Sequence, residues 1–147
     1  MKKLIFILTL LIFELNAQET GSAPYVSQFG INQVQINSGA NWKVTNKDEN
    51  NIVFVVVNIE DRVVAHSFIK KREFYMFKDL PIGSYYYKFS AAENYFENKK
   101  LIKFEGCDPG IYICNGGAEW GLEVWVERTN SNMAQTGKIS KKSFFNN

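Results

Sequence analysis

The run Ile52 to Ile59, IVFVVVNI, constrains this chain more than any other stretch. Branched or aromatic side chains fill nearly every position, so the backbone favours extended structure. A strand with one wet face alternates apolar with polar residues, whereas a continuous apolar run implies cover on both faces. The length suits a strand better than a helix. The chain is therefore expected to build its layers around this segment.

The remaining sequence reads as strand, turn, strand. Trp42-Lys43-Val44 alternates, and NKDENN (46–51) is a polar turn. Val63 to Ile69 and Phe74 to Phe77 follow, separated by the charged KKRE. In KDLPIGS the Pro and Gly favour a tight reversal. SYYYKFS (84–90) places Tyr85, Tyr87 and Phe89 on one face and Ser84, Tyr86, Lys88 and Ser90 on the other. Leu101 to Phe104 and Trp120 to Val126 are further strands, and a polar TNSN turn precedes a last segment ending in Phe144-Phe145. Residues 91–100, AAENYFENKK, are the only place for a short helix. About seven to eight short strands at this turn spacing predict an all-β fold, a single small antiparallel β-sandwich.

The chain opens MKKLIFILTLLIFELNAQET. Lys2 and Lys3 form a positive start, Leu4 to Phe13 an apolar run, and Ala17 the small residue before a cleavage site. Glu14 and Asn16 break the run short of the roughly 20 apolar residues that a spanning helix needs. Residues 1–17 are therefore expected to be a signal peptide cleaved after Ala17, giving a secreted, periplasmic or cell-surface product. Residues 18–40 read as a loose leader or an edge strand (Val34-Gln35-Ile36), and 41–147 as the sandwich domain. Removing residues 1–17 from 147 leaves 130, enough for one domain. It also takes Lys2, Lys3 and Glu14 from 17 basic and 15 acidic side chains, leaving a formal charge of +1. That balance carries no nucleic-acid footprint, and no second apolar run is long enough to span a bilayer.

Both cysteines lie in CDPGIYIC, residues 107–114. Asp108-Pro109-Gly110 is a natural reversal that turns Cys107 and Cys114 toward each other. In an exported chain such a pair is expected to be oxidised. Structural zinc wants four ligands, usually with shorter spacing, and redox chemistry wants C-x-x-C. A Cys107–Cys114 disulfide is the expectation, with no metal site and no cofactor.

His66 is the only histidine, and no G-x-S-x-G accompanies it. It shares a strand face with Val64 and Phe68, which reads as a half-buried structural residue. Glu123 and Glu127 lie about 13 Å apart along a strand, too far for the usual glycosidase pair. No catalytic residue is assigned. The 12 Phe, 7 Tyr and 3 Trp exceed what a core alone suggests. Alternation in 120–126 sends Leu122, Val124 and Val126 inward and leaves Trp125 outward beside Glu123 and Glu127. Trp125, Tyr86 and Trp120 are thus the candidate ligand-binding residues, for a protein or a carbohydrate. The expected function is a non-enzymatic exported binding module; the alternative is a small secreted hydrolase, or an enzyme inhibitor acting through a loop.

FIKKREFYMFKDLPIGSYYYKFS (68–90), with the late ISKKSFFNN (139–147), resembles small uncharacterised exported bacterial β-sandwich modules. Within it DLPIGSYYYKF (79–89) is similar to the turn–strand unit of transthyretin-like and carboxypeptidase-regulatory-like sandwiches. The resemblance implies a sandwich and an exported setting, and it brings no catalytic residues.

Overall fold

Period-two alternation in the branched strand separates two cores. In the computed structural model, which describes residues 18–105, 119–124, 126 and 137–146, this strand is β2 (Ile52–Asn58). Ile52, Phe54 and Val56 enter one apolar cluster, whereas Val53, Val55 and Val57 enter another on the opposite face. The covering layers come from β1 (Asn41–Asn46), β3 (Val63–Ile69), β4 (Phe74–Phe77), β5 (Gly83–Ala91), β6 (Asn94–Phe104), β7 (Glu119–Val124) and β8 (Lys138–Ile139), with two short helices, α1 (Val26–Phe29) and α2 (Lys141–Phe145).

The strands form a three-stranded sheet A, ordered β4-β1-β7, and a five-stranded sheet B, ordered β3-β2-β5-β6-β8. The fold is all-β and consistent with the small sandwich that the turn spacing predicts. Pairing is antiparallel except for β1 with β7, which run parallel. Between the sheets lies the larger core. Trp42, fully buried, packs edge-on to Phe54 at 5.6 Å, and Phe77, Tyr85, Phe89, Phe96, Phe104 and Val124 close around them. The second core sits on the far face of sheet B, where Phe29 of α1 and Phe144 of α2 cover Val53, Val55, Val57 and Tyr86.

Several local expectations are corrected. Residues 91–100 form no helix: Ala92 and Glu93, with φ of 45° and 61°, make a two-residue turn that pairs Ala91 with Asn94. Positive φ at both turn positions matches the twist of the flanking strands, and β6 starts at once behind it. Val64 does not share the face of His66. A bulge between Val56 and Val57 places Val64 in the inter-sheet core, while His66 stays opposite Val55. One extra residue in a strand shifts the alternation in this way.

Residues 18–40 contain no strand. They run along the β3 edge: Gly21 N–H donates to the Phe68 carbonyl (2.9 Å), Phe68 N–H to Ser22 (2.8 Å) and Gln33 N–H to Val64 (2.8 Å). This strap satisfies edge groups that would otherwise invite pairing. At Val34–Ile36 the Gln35 N–H bonds the Asp79 carbonyl, and Val34 and Ile36 stay exposed.

The DLPIGSY reversal closes on itself. Leu80 is buried, and the Tyr85 hydroxyl donates to the Pro81 carbonyl four residues upstream. A tyrosine bonding back to the start of its own turn is a device used at the corners of Greek-key sandwiches.

Candidate functional site

The outer face of sheet A is the sheet surface without an apolar cover among the described residues. Trp42, Val44 and Asn46 point into the interior, so Lys43 and Thr45 point out. Register places Met76 and Gly121 beside Lys43, and Phe74 and Glu123 beside Thr45. Phe74 is 56% exposed, and Lys43 Nζ stands 4.5 Å above its ring centroid. That distance is within reach of a cation–π attraction, worth about 0.5–1 kcal/mol at an exposed site. At the neighbouring strand a Cβ on Gly121 would meet nothing within 4 Å, so the surface beside Lys43 is open. Lys47 and Glu123 form an ion pair of 3.4 Å at the rim, both ends exposed. Such a pair adds little stability. The face thus offers an aromatic ring, a thioether, one cation above the ring and an open notch.

The residues singled out from the sequence are placed differently. In β7, Val124 is buried and Leu122 and Val126 pack against the inter-sheet core, while Glu123 is exposed, as alternation requires. Trp125, Cys107 and Cys114 lie outside the described residues, as does the side chain of Trp120, whose backbone pairs with Trp42. Tyr86 is a correction. It was expected to face solvent but is 4% exposed, because the far face of sheet B is roofed by the helices rather than wet.

At that roof lies a partly buried polar cluster around Tyr86 and Lys88. The Tyr86 hydroxyl donates to Asp61 Oδ1 at 2.6 Å. Lys88 Nζ donates to the carbonyls of Ser143 (3.1 Å) and Asn146 (3.3 Å), tying β5 to the end of α2, with Glu97 Oε1 4.0 Å away. Burial pushes the Lys88 ammonium below its ordinary range, opposed by the negative charges of Glu97 and Asp61. Burial pushes Tyr86 up, reinforced by its bond to Asp61. A lysine donating to the last carbonyls of a helix satisfies groups that have no intrahelical partner. This cluster fastens the C-terminal segment.

His66 has no exposed surface, although the sequence suggested half-burial. Its Nε2 accepts the Tyr25 N–H at 3.3 Å, and its ring meets Phe29 edge-on at 5.2 Å. The Asn32 side chain brackets its backbone, accepting from His66 N–H (2.9 Å) and donating to its carbonyl (3.0 Å). Desolvation lowers the pKa of the ring, and a backbone hydrogen bond at Ala23 offsets part of that. The histidine is a docking post for the strap.

Among the described residues no group of three or more His, Cys, Asp or Glu is arranged to hold a metal ion, and no helix is long and apolar enough to cross a membrane. A shallow depression of about 420 Å³ lies beside β8, lined by Glu93, Asn94, Tyr95, Lys138, Ile139 and Lys141.

No protein-family model, curated protein or solved structure matches the chain. The likeness to transthyretin-like and regulatory-like sandwiches therefore rests on the turn–strand residues 79–89 alone.

Phe74 was missed in the sequence because FYMF (74–77) is apolar or aromatic throughout and shows no polarity contrast. The available signal was its register: Tyr75 and Phe77 pack inward, which leaves Phe74 and Met76 outward. Lys88 was also missed. A lone lysine among Tyr, Phe and Ser reads as solvated until a roof is known.

Proposed function

We propose that this chain is an exported, non-enzymatic β-sandwich that binds a partner protein on the outer face of sheet A. The observation that carries the reading is Phe74, 56% exposed on a sheet face that no cover reaches among the described residues, with Lys43 above it. Exposed aromatics next to open, unroofed surface are the anchors that interfaces use. Lys43 occupies one side of the ring, so a flat sugar stacking there has to displace it. A protein side chain approaching the ring edge, with a carboxylate near Lys43, does not. Export is supported by the order of residues 1–17, positive start, apolar run and Ala17.

The test is site-specific photocrosslinking in the native cells, with the photoreactive residue at Thr45 beside Phe74 and, as control, at the exposed Leu101 on β6. The expected result is a discrete protein adduct from position 45 alone, lost in Phe74→Ser and in Lys43→Glu. Identical adducts from both positions, or none from 45, overturn the reading. Glycan-array binding that disappears in Phe74→Ala would replace the protein partner with a carbohydrate.

A further inference from the structure

Gln18 directly precedes the strap residues that are bonded to β3 and the turn behind it. Glu19 pairs with Lys70 (2.5 Å between Oε2 and Nζ). Thr20 Oγ1 accepts the Lys70 N–H at 2.9 Å and donates to Glu73. Gly21 and Ser22 are bonded to Phe68. Gln18 itself is exposed and makes no hydrogen bond or ion pair among the described residues. The next residue, Glu19, is engaged by Lys70, and Glu73 accepts from Thr20.

A glutamine that becomes the first residue of a chain carries a nucleophile and an electrophile within reach of one another. We propose that Gln18, once cleavage after Ala17 frees it, closes to a pyroglutamyl residue that seals the strap; the proposal rests on the export reading. The neutral α-amine attacks the side-chain Cδ carbonyl and forms the γ-lactam C–N bond. The bond from Cδ to the amide nitrogen breaks, that nitrogen takes the proton lost by the amine, and ammonia leaves. Nothing is oxidised or reduced and no co-reactant is needed. An ordinary α-amine titrates at about 7.7–8.0, so near neutral pH an appreciable fraction is unprotonated. A carboxylate holding it as an ammonium would suppress the attack, and the adjacent Glu19 carboxylate is paired with Lys70.

The ring has a consequence for the fold. An exopeptidase that starts from a free amine removes Gln18 and then reaches Glu19 and Thr20, the residues that fix the strap to Lys70. A lactam presents no amine, so the strap stays intact.

The test expresses the full chain, residues 1–17 included, in an export-competent host and measures the exported product by intact mass and N-terminal peptide sequencing, before and after prolonged incubation at neutral pH. The expected product begins at residue 18, is lighter by one ammonia and resists aminopeptidase, whereas Gln18→Ala is trimmed. A product that begins at Gln18 and keeps a free amine through the incubation overturns the ring while export stands. A product beginning elsewhere overturns both.

Discussion

His66 makes the stability of this domain depend on pH in a way that can be isolated, because the chain contains one histidine. In the fold its Nε2 accepts the Tyr25 N–H, so the neutral ring is the bound form, and burial holds its pKa below the ordinary 6.5. The unfolded chain binds the proton more readily than the folded one, so stability rises with pH in this range. The contribution is fully present above the unfolded pKa of about 6.5 and is lost as pH falls toward the depressed folded value. Each pH unit between the two values changes stability by at most about 1.4 kcal/mol, against a total of about 5–15 kcal/mol for a domain. The residues that contact the ring, Tyr25 and Phe29, bring no carboxylate to rescue an imidazolium. Urea denaturation at steps from about pH 5 to pH 7.5 measures the slope, and amide exchange at Tyr25 to Asn32 locates it in the strap. In His66→Gln, which keeps an acceptor but does not titrate, the slope in this window should vanish. A flat wild-type profile, or the same slope in the variant, refutes the assignment.

Three further outcomes follow from the packing. Gly137 has φ of +87°, and a Cβ there would sit 2.8 Å from the Glu97 carbonyl oxygen, so Gly137→Ala should cost about 1–3 kcal/mol and loosen β8 and α2 first, as read by amide exchange. Phe144, fully buried in the second core, should cost about 3–5 kcal/mol as Phe144→Ala in chemical denaturation, and Phe145→Ala, half-buried, clearly less. Asp48 accepts from the Asn50 N–H and the Val126 N–H, both at 2.9 Å, so Asp48→Ala should leave part-buried donors without this acceptor, cost about 1–3 kcal/mol and lower the melting temperature.

How much of this was legible follows from what each residue's neighbours reveal. The double burial of β2 was readable because Val53, Val55 and Val57 have no polar excuse on their face. The identity of the roof was not. Phe29 and Phe144 lie in elements of four and five residues, too short to show a helical stripe. Without the roof, Tyr86 and Lys88 look solvated, and the candidate binding residue Tyr86 was misplaced for that reason. The Ala92-Glu93 turn was invisible because neither residue is one that usually marks positive φ. Alternation in β7 was legible because Glu123 stands between Leu122 and Val124, while β4, apolar at every position, hid the exposed Phe74.

The layering also supports placing the proposed binding surface on sheet A. Sheet B carries apolar side chains on both faces and spends them on two cores, so a substitution on either face is felt as lost packing. Among the described side chains sheet A contributes Trp42, Val44, Phe77, Val124 and the half-buried Tyr75 and Leu122 to the apolar interior, with Asn46 buried beside them. Its opposite positions, Lys43, Thr45, Phe74, Met76, Gly121 and Glu123, are free of that duty. A single exposed phenylalanine is ordinary on a protein surface. Here it lies two residues from Met76 on the same strand and beneath Lys43, whose register partner across β1 is Gly121, on the sheet face whose side chains can change without emptying a core. Phe74→Ser should therefore change the unfolding free energy by no more than about 1 kcal/mol, the size of the lost cation–π contact, while abolishing partner crosslinking. A loss of several kcal/mol would show instead that Phe74 is structural, and the outer face of sheet A would lose its anchor.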